Sequence, residues 1–376
     1  MKKIKFLFLA ATVLSLVGCQ PNNEGSDAIT IIDGLGAEIE IDTSKINRVV
    51  CVGAGALRLY SYAGDLSKLV GVEDVDRNVG TNNFENAPRP YYDVNVDYFA
   101  SLPSIGAGGP AANRTGPNYE LVAAAHPDLI FSQFNNANIN KQLEEKTGAK
   151  VVFLDYGANA GTAIFNDGIK QSLRNIDKIF KTKKGEEIIT YMENAKNELE
   201  NIANKYENKQ TAYVGCVGNW GPQSIYSTSG DYSPFEVNGV INVAPSSVGH
   251  GTLSKESLIN GNPDKIFIDA GGLNKLKEEY ATEKTTLAAL DAVKNGEVYL
   301  EMPGVAYMGN IETMLVNCYY VSSIMYPNEY QSFDIGNKYD EITTKFLGKA
   351  NYDTAKNKPL SFGGYQKVNL DELFSE

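Results

Sequence analysis

The residues best able to do chemistry in this 376-residue chain are few and unevenly placed. It has two histidines. One, His250, stands between Gly249 and Gly251, where the missing side chains let backbone approach a ligand and leave the imidazole accessible. Tyr307 lies in Pro303-Gly304-Val305-Ala306-Tyr307-Met308-Gly309, between a predicted strand and a predicted helix. Proteins of α/β type bind ligands at that end of their strands. The arginines are Arg48, Arg58, Arg77, Arg89, Arg114 and Arg174, and every other cationic residue is a lysine. A guanidinium grips planar oxyanions at two points, which an ammonium cannot do. Arg58, Arg89 and Arg114 are therefore expected to meet an anionic ligand. Arg89 stands beside Pro90-Tyr91-Tyr92, and Arg114 between Gly106–Gly109 and Gly116. The competing reading commits Arg77, Arg89 and Arg114 to ion pairs inside their own loops. Trp220 and Tyr232, in a Gly- and Ser-rich stretch, offer faces for a flat aromatic ligand.

Two carboxylates stand out by repetition. The segment Asn118-Tyr119-Glu120, continuing through His126-Pro127-Asp128 to Ile130-Phe131, has a gapless partner. That partner runs from Ser254-Lys255-Glu256 through Asn262-Pro263-Asp264 to Ile266-Phe267. Asn118 and Ser254 are N-cap types, so Glu120 and Glu256 each fall in a first helical turn. There a carboxylate offsets the helix dipole by about 0.3–1 kcal/mol. His126, before Pro127, reads as a C-terminal helix residue.

The elements needed to position these groups alternate. Ile29–Ile41 reads as a hairpin about Asp33-Gly34. Buried strands are predicted at Arg48–Gly53, Val70–Val72, Leu129–Ser132 and Lys150–Leu154, with helices at Ala56–Ala63, Tyr119–Ala125 and Asn138–Thr147. Asp74–Gly116 lacks periodicity and is expected to be irregular surface. Apolar residues spaced by three and four mark helices from Phe165 to Phe180 and from Ile188 to Tyr206. A second α/β unit then opens at Thr211. Its strands are expected at Val240–Val243, Lys265–Asp269 and Glu297–Glu301, its helices at Ser233–Asn238, Lys255–Asn260, Gly309–Met325 and Ile335–Leu347. The fold class is thus α/β: two similar lobes with parallel-type sheets, joined by a long linking helix, with a ligand cleft between them. The expected divisions are 29–158 for the first lobe, 159–207 for the linking helices, and 208–376 for the second lobe with its helical tail.

Composition removes whole classes of function. Asp and Glu number 46 against 34 Lys and Arg, a net charge of −12 that disfavours nucleic acid as partner. Two histidines leave little for a cage of imidazoles around zinc or manganese. Gly53-Ala54-Gly55 begins like a dinucleotide fingerprint, but Arg58 occupies the place of its third glycine. No phosphate loop, nucleophile elbow or catalytic triad is evident.

The start of the chain reads as an address. Lys2, Lys3 and Lys5 precede the apolar run Phe6–Val17, shorter than the roughly 20 residues a membrane span requires. Leu16-Val17-Gly18-Cys19 resembles the bacterial lipobox, in which the cysteine is acylated. Residues 1–18 are then a signal peptide and 19–28 a lipidated Cys19 with a flexible tether, holding the protein on the outer side of the membrane. The alternative is an ordinary signal peptide with an incidental cysteine. Cys51, Cys216 and Cys318 remain, an odd number that implies no disulfide framework.

These segments together resemble the class III substrate-binding proteins of bacterial ABC importers, over about residues 29–325. The resemblance rests on the lipobox, the 29–41 hairpin, Arg48-Val49-Val50, Lys68–Val72, both Glu…Pro-Asp segments and the linking helix. It implies a monomeric, non-enzymatic receptor with no intrinsic cofactor, whose partners are an ABC permease with its ATPase, a small-molecule chelate, and the membrane through the lipid. It assigns Glu120 and Glu256 to docking on permease arginines. His250 and Tyr307 match positions where catecholate-binding members supply ligands to ferric iron, which makes a ferric siderophore, an Fe(III) chelate, the expected cargo. The alternatives are haem, cobalamin or an oxyanion such as molybdate, and more remotely a secreted α/β hydrolase.

Overall fold

The computed structural model describes residues 27–77, 86–158, 161–218, 221 and 223–374. Strands β1 (Ala28–Ile32) and β2 (Glu38–Asp42) form the expected antiparallel hairpin, with Ile29 opposite Ile41 and Ile31 opposite Ile39. Asp33 closes its turn by accepting the Leu35 and Ala37 amides at 2.9 Å each. Its second oxygen takes the Phe153 amide at 3.2 Å, which ties the hairpin to the first sheet.

That sheet begins with β3 (Val49–Val52), whose glycine turn leads into α1 (Ala56–Ala63). Next come α2 (Pro90–Asp93), α3 (Val96–Ser101), α4 (Gly109–Thr115) and α5 (Tyr119–Ala124). They are followed by β4 (Leu129–Ser132), α6 (Ala137–Thr147) and β5 (Lys150–Phe153). The three strands pair in parallel, in the order β3–β4–β5. All four residues of β3 and of β4 are buried, as a sheet covered on both faces requires.

Two expectations change here. Val70–Val72 is not a strand; single bridges join Leu69 to Val49 and Val72 to Ser104. Nor is the described part of Asp74–Gly116 irregular surface. It folds into short helices that bury Tyr91, Tyr92, Phe99 and Ile105. Packing of large aromatic side chains, with no help from periodicity, orders that stretch.

The expected helices between the sheets are α7 (Asp167–Phe180) and α8 (Lys184–Ala203). Lys181 takes a left-handed conformation (φ 54°), and Asp177 accepts from Thr182 Oγ1 and from the Gly185 and Glu186 amides. The chain thereby folds back, so that Arg174 meets Glu186 at 2.8 Å and Lys170 meets Glu193 at 2.6 Å. Ile169, Leu173, Ile176 and Ile179 of α7 are buried, as are Ile188, Met192, Ala195 and Leu199 of α8.

The second half opens with β6 (Thr211–Gly215), β7 (Ser227–Ser229), α9 (Ser233–Glu236) and β8 (Ile241–Asn242). It continues with β9 (His250–Thr252), α10 (Lys255–Gly261), β10 (Lys265–Asp269) and α11 (Leu273–Ala288), a helix that periodicity did not reveal. Then follow α12 (Asp291–Lys294), β11 (Val298–Glu301), α13 (Ile311–Met325), α14 (Ile335–Leu347), α15 (Tyr352–Lys356), β12 (Gln366–Lys367) and α16 (Leu370–Leu373). The sheet order is β12–β11–β10–β6–β8, parallel except for β12, while β7 and β9 make a small antiparallel ribbon. The tail returns to the first half, where Lys358 meets Asp93 at 2.9 Å and Lys349 donates to the Val94 carbonyl. Cys51, Cys216 and Cys318 are free and buried. Among the described residues no helix is long and apolar enough to cross a membrane.

Candidate ligand cleft

The two halves meet where their parallel strands end, and one arginine dominates the junction. The β3–α1 turn needs glycine: Gly53 and Gly55 have φ of 86° and 87°. A Cβ on Gly55 would lie 2.7 Å from the Tyr156 hydroxyl. This close turn aims α1 at the opposite half, and Arg58, wholly buried, reaches across. Its Nη1 donates to the carbonyls of Tyr307 (3.1 Å) and Gly309 (2.9 Å), its Nη2 to the Ala306 carbonyl (2.7 Å) and Asn310 Oδ1 (2.8 Å). Asn310 Nδ2 in turn donates to the carbonyls of Pro88 and Pro303, at 2.9 and 3.0 Å. The Tyr307 hydroxyl donates to Glu73 Oε2 (2.7 Å) and accepts the Gly109 amide (2.9 Å). Glu73 Oε1 accepts the Gly53 amide at 3.2 Å. Burial pushes the Glu73 carboxyl up to about 7, against the pull of the Tyr307 and Gly53 hydrogen bonds.

A second seam runs beside the first. Thr162 Oγ1 and Ser229 Oγ are 2.8 Å apart, and the Ser233 amide donates to the Thr162 carbonyl at 3.1 Å. Gly161 and Gly309 approach so closely that a Cβ on Gly309 would lie 2.7 Å from the Gly161 Cα. His250 is the cross-strand partner of Ser229, which places it at this junction. The imidazole is half-buried, and its Nε2 has no hydrogen-bond partner among the described residues. Burial holds its pKa below the usual range, partly opposed by a hydrogen bond to the Gly218 backbone. A neutral imidazole keeps a nitrogen lone pair for a Lewis acid.

The other expected site residues divide. Arg89 is wholly buried; it pairs with Asp76 at 2.8 Å, donates to the Val75 carbonyl at 3.0 Å and lies 4.2 Å over the Tyr92 ring. Its guanidinium belongs to the loop core, which corrects the expectation that it faces cargo. Arg77 likewise pairs with Asp74 at 2.9 Å. Arg58 grips protein carbonyls where an anionic ligand was expected. Tyr232 is also corrected: it is 1% exposed, its hydroxyl bonds Glu301, and its ring meets Phe235 edge-on at 5.0 Å, so no face is left for a flat ligand. Tyr307, with its hydroxyl committed to Glu73 and Gly109, stands at the cleft as a strut between the halves. Arg114 is exposed in the last turn of α4, the helix whose first amide Tyr307 holds. Trp220 and Cys19 lie outside the described residues.

Glu120 and Glu256 are exposed, each in a first turn capped by the predicted residue: Asn118 accepts the Leu121 amide and Ser254 the Ser257 amide, both at 3.1 Å. Helices α5 and α10 lead into the amino ends of β4 and β10, so the two carboxylates hold the same place in the element order of each half. His126 ends α5 as expected, with φ of 45°.

Sequence reasoning singled out neither Asn310, nor Glu73, nor the pair Thr162–Ser229. It also missed two acids at the carboxyl ends of β10 and β11. Asp269 accepts the Gly271 and Gly304 amides, and burial raises it to about 7. Glu301 accepts from Tyr232; burial raises it to about 8, with Asp269 adding to the shift, and its second oxygen has no partner among the described residues. The one local signal was an acid ending each apolar strand. No group of three or more His, Cys, Asp or Glu able to hold a metal is present among the described residues. A cavity of about 680 Å³ lies elsewhere, lined by Tyr62, Lys68, Phe180, Lys184 and Phe346 among others, and includes none of the expected site residues.

Residues 59–302 match the family model described as periplasmic binding protein. Among curated proteins none matches the sequence. Solved structures share the fold at low identity. A periplasmic solute binding protein from Veillonella parvula is 18% identical with a TM-score of 0.65, covering 89% of this chain and 97% of that one. The Haemophilus influenzae molybdate-binding protein MolA is 18% identical with a TM-score of 0.64, covering 86% and 98%. The Bacillus subtilis petrobactin-binding protein YclQ is 19% identical with a TM-score of 0.57, covering 79% and 98%.

Proposed function

The chain belongs to the periplasmic binding protein family, and from that premise we propose that it captures a ferric chelate of the siderophore class and hands it to an ABC permease without catalysing a reaction. Proteins of this family bind small molecules and work with a permease and its ATPase. The observation that carries the cargo reading is His250, whose neutral ring, unpaired at Nε2 among the described residues, sits at the junction of the halves. In this reading the metal arrives inside an organic chelator, and His250 adds one ligand to it. Arg114, exposed in the last turn of α4, serves the charge of the complex. Binding of petrobactin by the similarly folded YclQ supports this reading, though their 19% identity speaks to the fold alone. An oxyanion such as molybdate, the MolA cargo, is less well served, because Arg58 and Arg89 are spent on protein groups. Also part of the proposal are acylation of Cys19 as an anchor outside the cytoplasm, a tether to residue 28, and lobes of 29–158 and 208–376 bridged by 159–207.

The test is mass spectrometry and metal analysis of ligand co-purified from native cells, followed by titration with a ferric tetradentate bis-catecholate. The expected result is an iron chelate whose charge-transfer band shifts on binding, and shifts less in His250→Ala. Co-purified haem, cobalamin or molybdate, with no binding of the ferric complex, overturns the reading.

A further inference from the structure

A guanidinium stripped of water costs several kcal/mol unless hydrogen bonds replace the lost hydration. Arg58 is 0% exposed, and among the described residues its Nη atoms make four hydrogen bonds to carbonyl and amide oxygens, with Glu312 acting on its charge from further off. All four converge on one turn of the opposite half. In that turn Tyr307 and Met308 both have positive φ, 54° and 71°, a conformation that disfavours a residue with a Cβ. Two such residues in succession relax unless something holds them. The turn's own bonds are sparse: the Ala306 amide donates to the Met308 carbonyl at 3.0 Å and the Asn310 amide to the Gly304 carbonyl at 2.9 Å. The turn carries the half-buried Met308, which packs with Ala54 and Val75 of the first half. Through Tyr307 it also fixes Gly109 and the head of α4. A lysine in place of Arg58 has three donors radiating from one atom and cannot span four acceptors arranged along a backbone.

We propose that Arg58 is a positioning residue for cargo: from the first half it holds the 306–310 turn of the second in its cargo-facing shape, so that this wall of the cleft is assembled before cargo arrives. The inference rests on the reading of the chain as a cargo receptor, but not on which cargo it carries.

Amide hydrogen exchange on the cargo-free protein reads the turn directly. In Arg58→Met the Ala306 and Asn310 amides should exchange about tenfold faster or more, while the Leu59 amide of α1, bonded to the Gly55 carbonyl, keeps its protection. Arg58→Lys keeps the charge, serves where the methionine variant fails to fold, and should restore part of the protection. Unchanged exchange in the turn, or equal loss in the turn and α1, overturns the proposal. With the ferric bis-catecholate as probe, association should slow about tenfold in Arg58→Met and dissociation change by less than about threefold; a change confined to dissociation rejects preassembly. Failure of the unaltered protein to bind the probe refutes the ferric-chelate reading, and the exchange experiment on cargo-free protein still decides the role of Arg58.

Discussion

The two halves are alike where they build strands and unlike where they face each other. In the first half Asp128 Oδ2 accepts the amides of Asn47 and Arg48, both at 2.9 Å, and the Asp128 amide returns a bond to the Arg48 carbonyl. In the second, Asp264 Oδ2 accepts the amide and hydroxyl of Thr211, both at 2.8 Å, and the Asp264 amide returns a bond to the Thr211 carbonyl. His126 and Asn262, one residue before each proline, both have positive φ. The repeated Pro-Asp is thus an anchor that starts each half's first parallel strand. At the junction this symmetry ends. The first half sends out Arg58 and Glu73; the second answers with the Tyr307 turn and keeps Asp269 and Glu301 buried with no cation partner among the described residues. The repeat encodes a scaffold, and the divergent residues encode how the halves meet.

The largest expected effect concerns those buried acids. Folding raises Glu73 to about 7, Asp269 to about 7 and Glu301 to about 8, from ordinary values of 4.5, 3.8 and 4.5. A carboxyl raised on folding favours the folded state while neutral. Its contribution is complete below the ordinary value and is lost as pH climbs to the folded one. Stability should therefore fall between about pH 4 and pH 8, by on the order of 3–5 kcal/mol per group at most. His250, lowered on folding, works the other way below its ordinary value of 6.5. Denaturant midpoints across this range should flatten more in an Asp269→Asn, Glu301→Gln double variant than in Glu73→Gln. Equal flattening would mean that the halves do not differ in this respect.

Next in size are the anchors. Asp128→Ala and Asp264→Ala each strip two hydrogen bonds from the start of a parallel strand, and each should cost about 1–3 kcal/mol. Chemical denaturation reads both. Costs that differ by more than about twofold would break the equivalence that the sequence repeat implies.

Legibility followed the same division. The hairpin, most of the strands and the helix at Ile335–Leu347 were readable because each announces itself through alternation, a buried apolar run or a period of 3.6 residues. Helix α11 was missed because only Leu273, Leu276 and Leu287 of its sixteen residues are buried, too few to mark a stripe. The destination of Arg58 was not readable at all, and that of Arg89 only as the competing ion pair within its loop. Both were expected to meet cargo, because burying a guanidinium looks prohibitive from sequence. It becomes tolerable only when acceptors some 250 residues away, or an aspartate across a loop, are brought to it by the fold.

The smallest structural effect, and the sharpest functional one, belongs to the repeated glutamates. Glu120 and Glu256 are exposed, each in a first turn capped by its neighbour's side chain. Glu120→Gln and Glu256→Gln should lower stability by about 0.3–1 kcal/mol at most, the value of a charge at a helix start. Neither side chain reaches the junction, so cargo affinity should stay within about threefold, less than 1 kcal/mol. If the pair also sets the register of docking on a permease, reversing both to Lys should lower transport about tenfold or more while each single reversal does less, since two separated charges fix an orientation that one cannot. Uptake assays beside equilibrium binding separate the two roles. Full transport by the double reversal would reduce both residues to dipole partners, and the repeat would then be scaffold throughout. Loss in one reversal alone would show that the halves, alike in their scaffold, differ on the docking face as well.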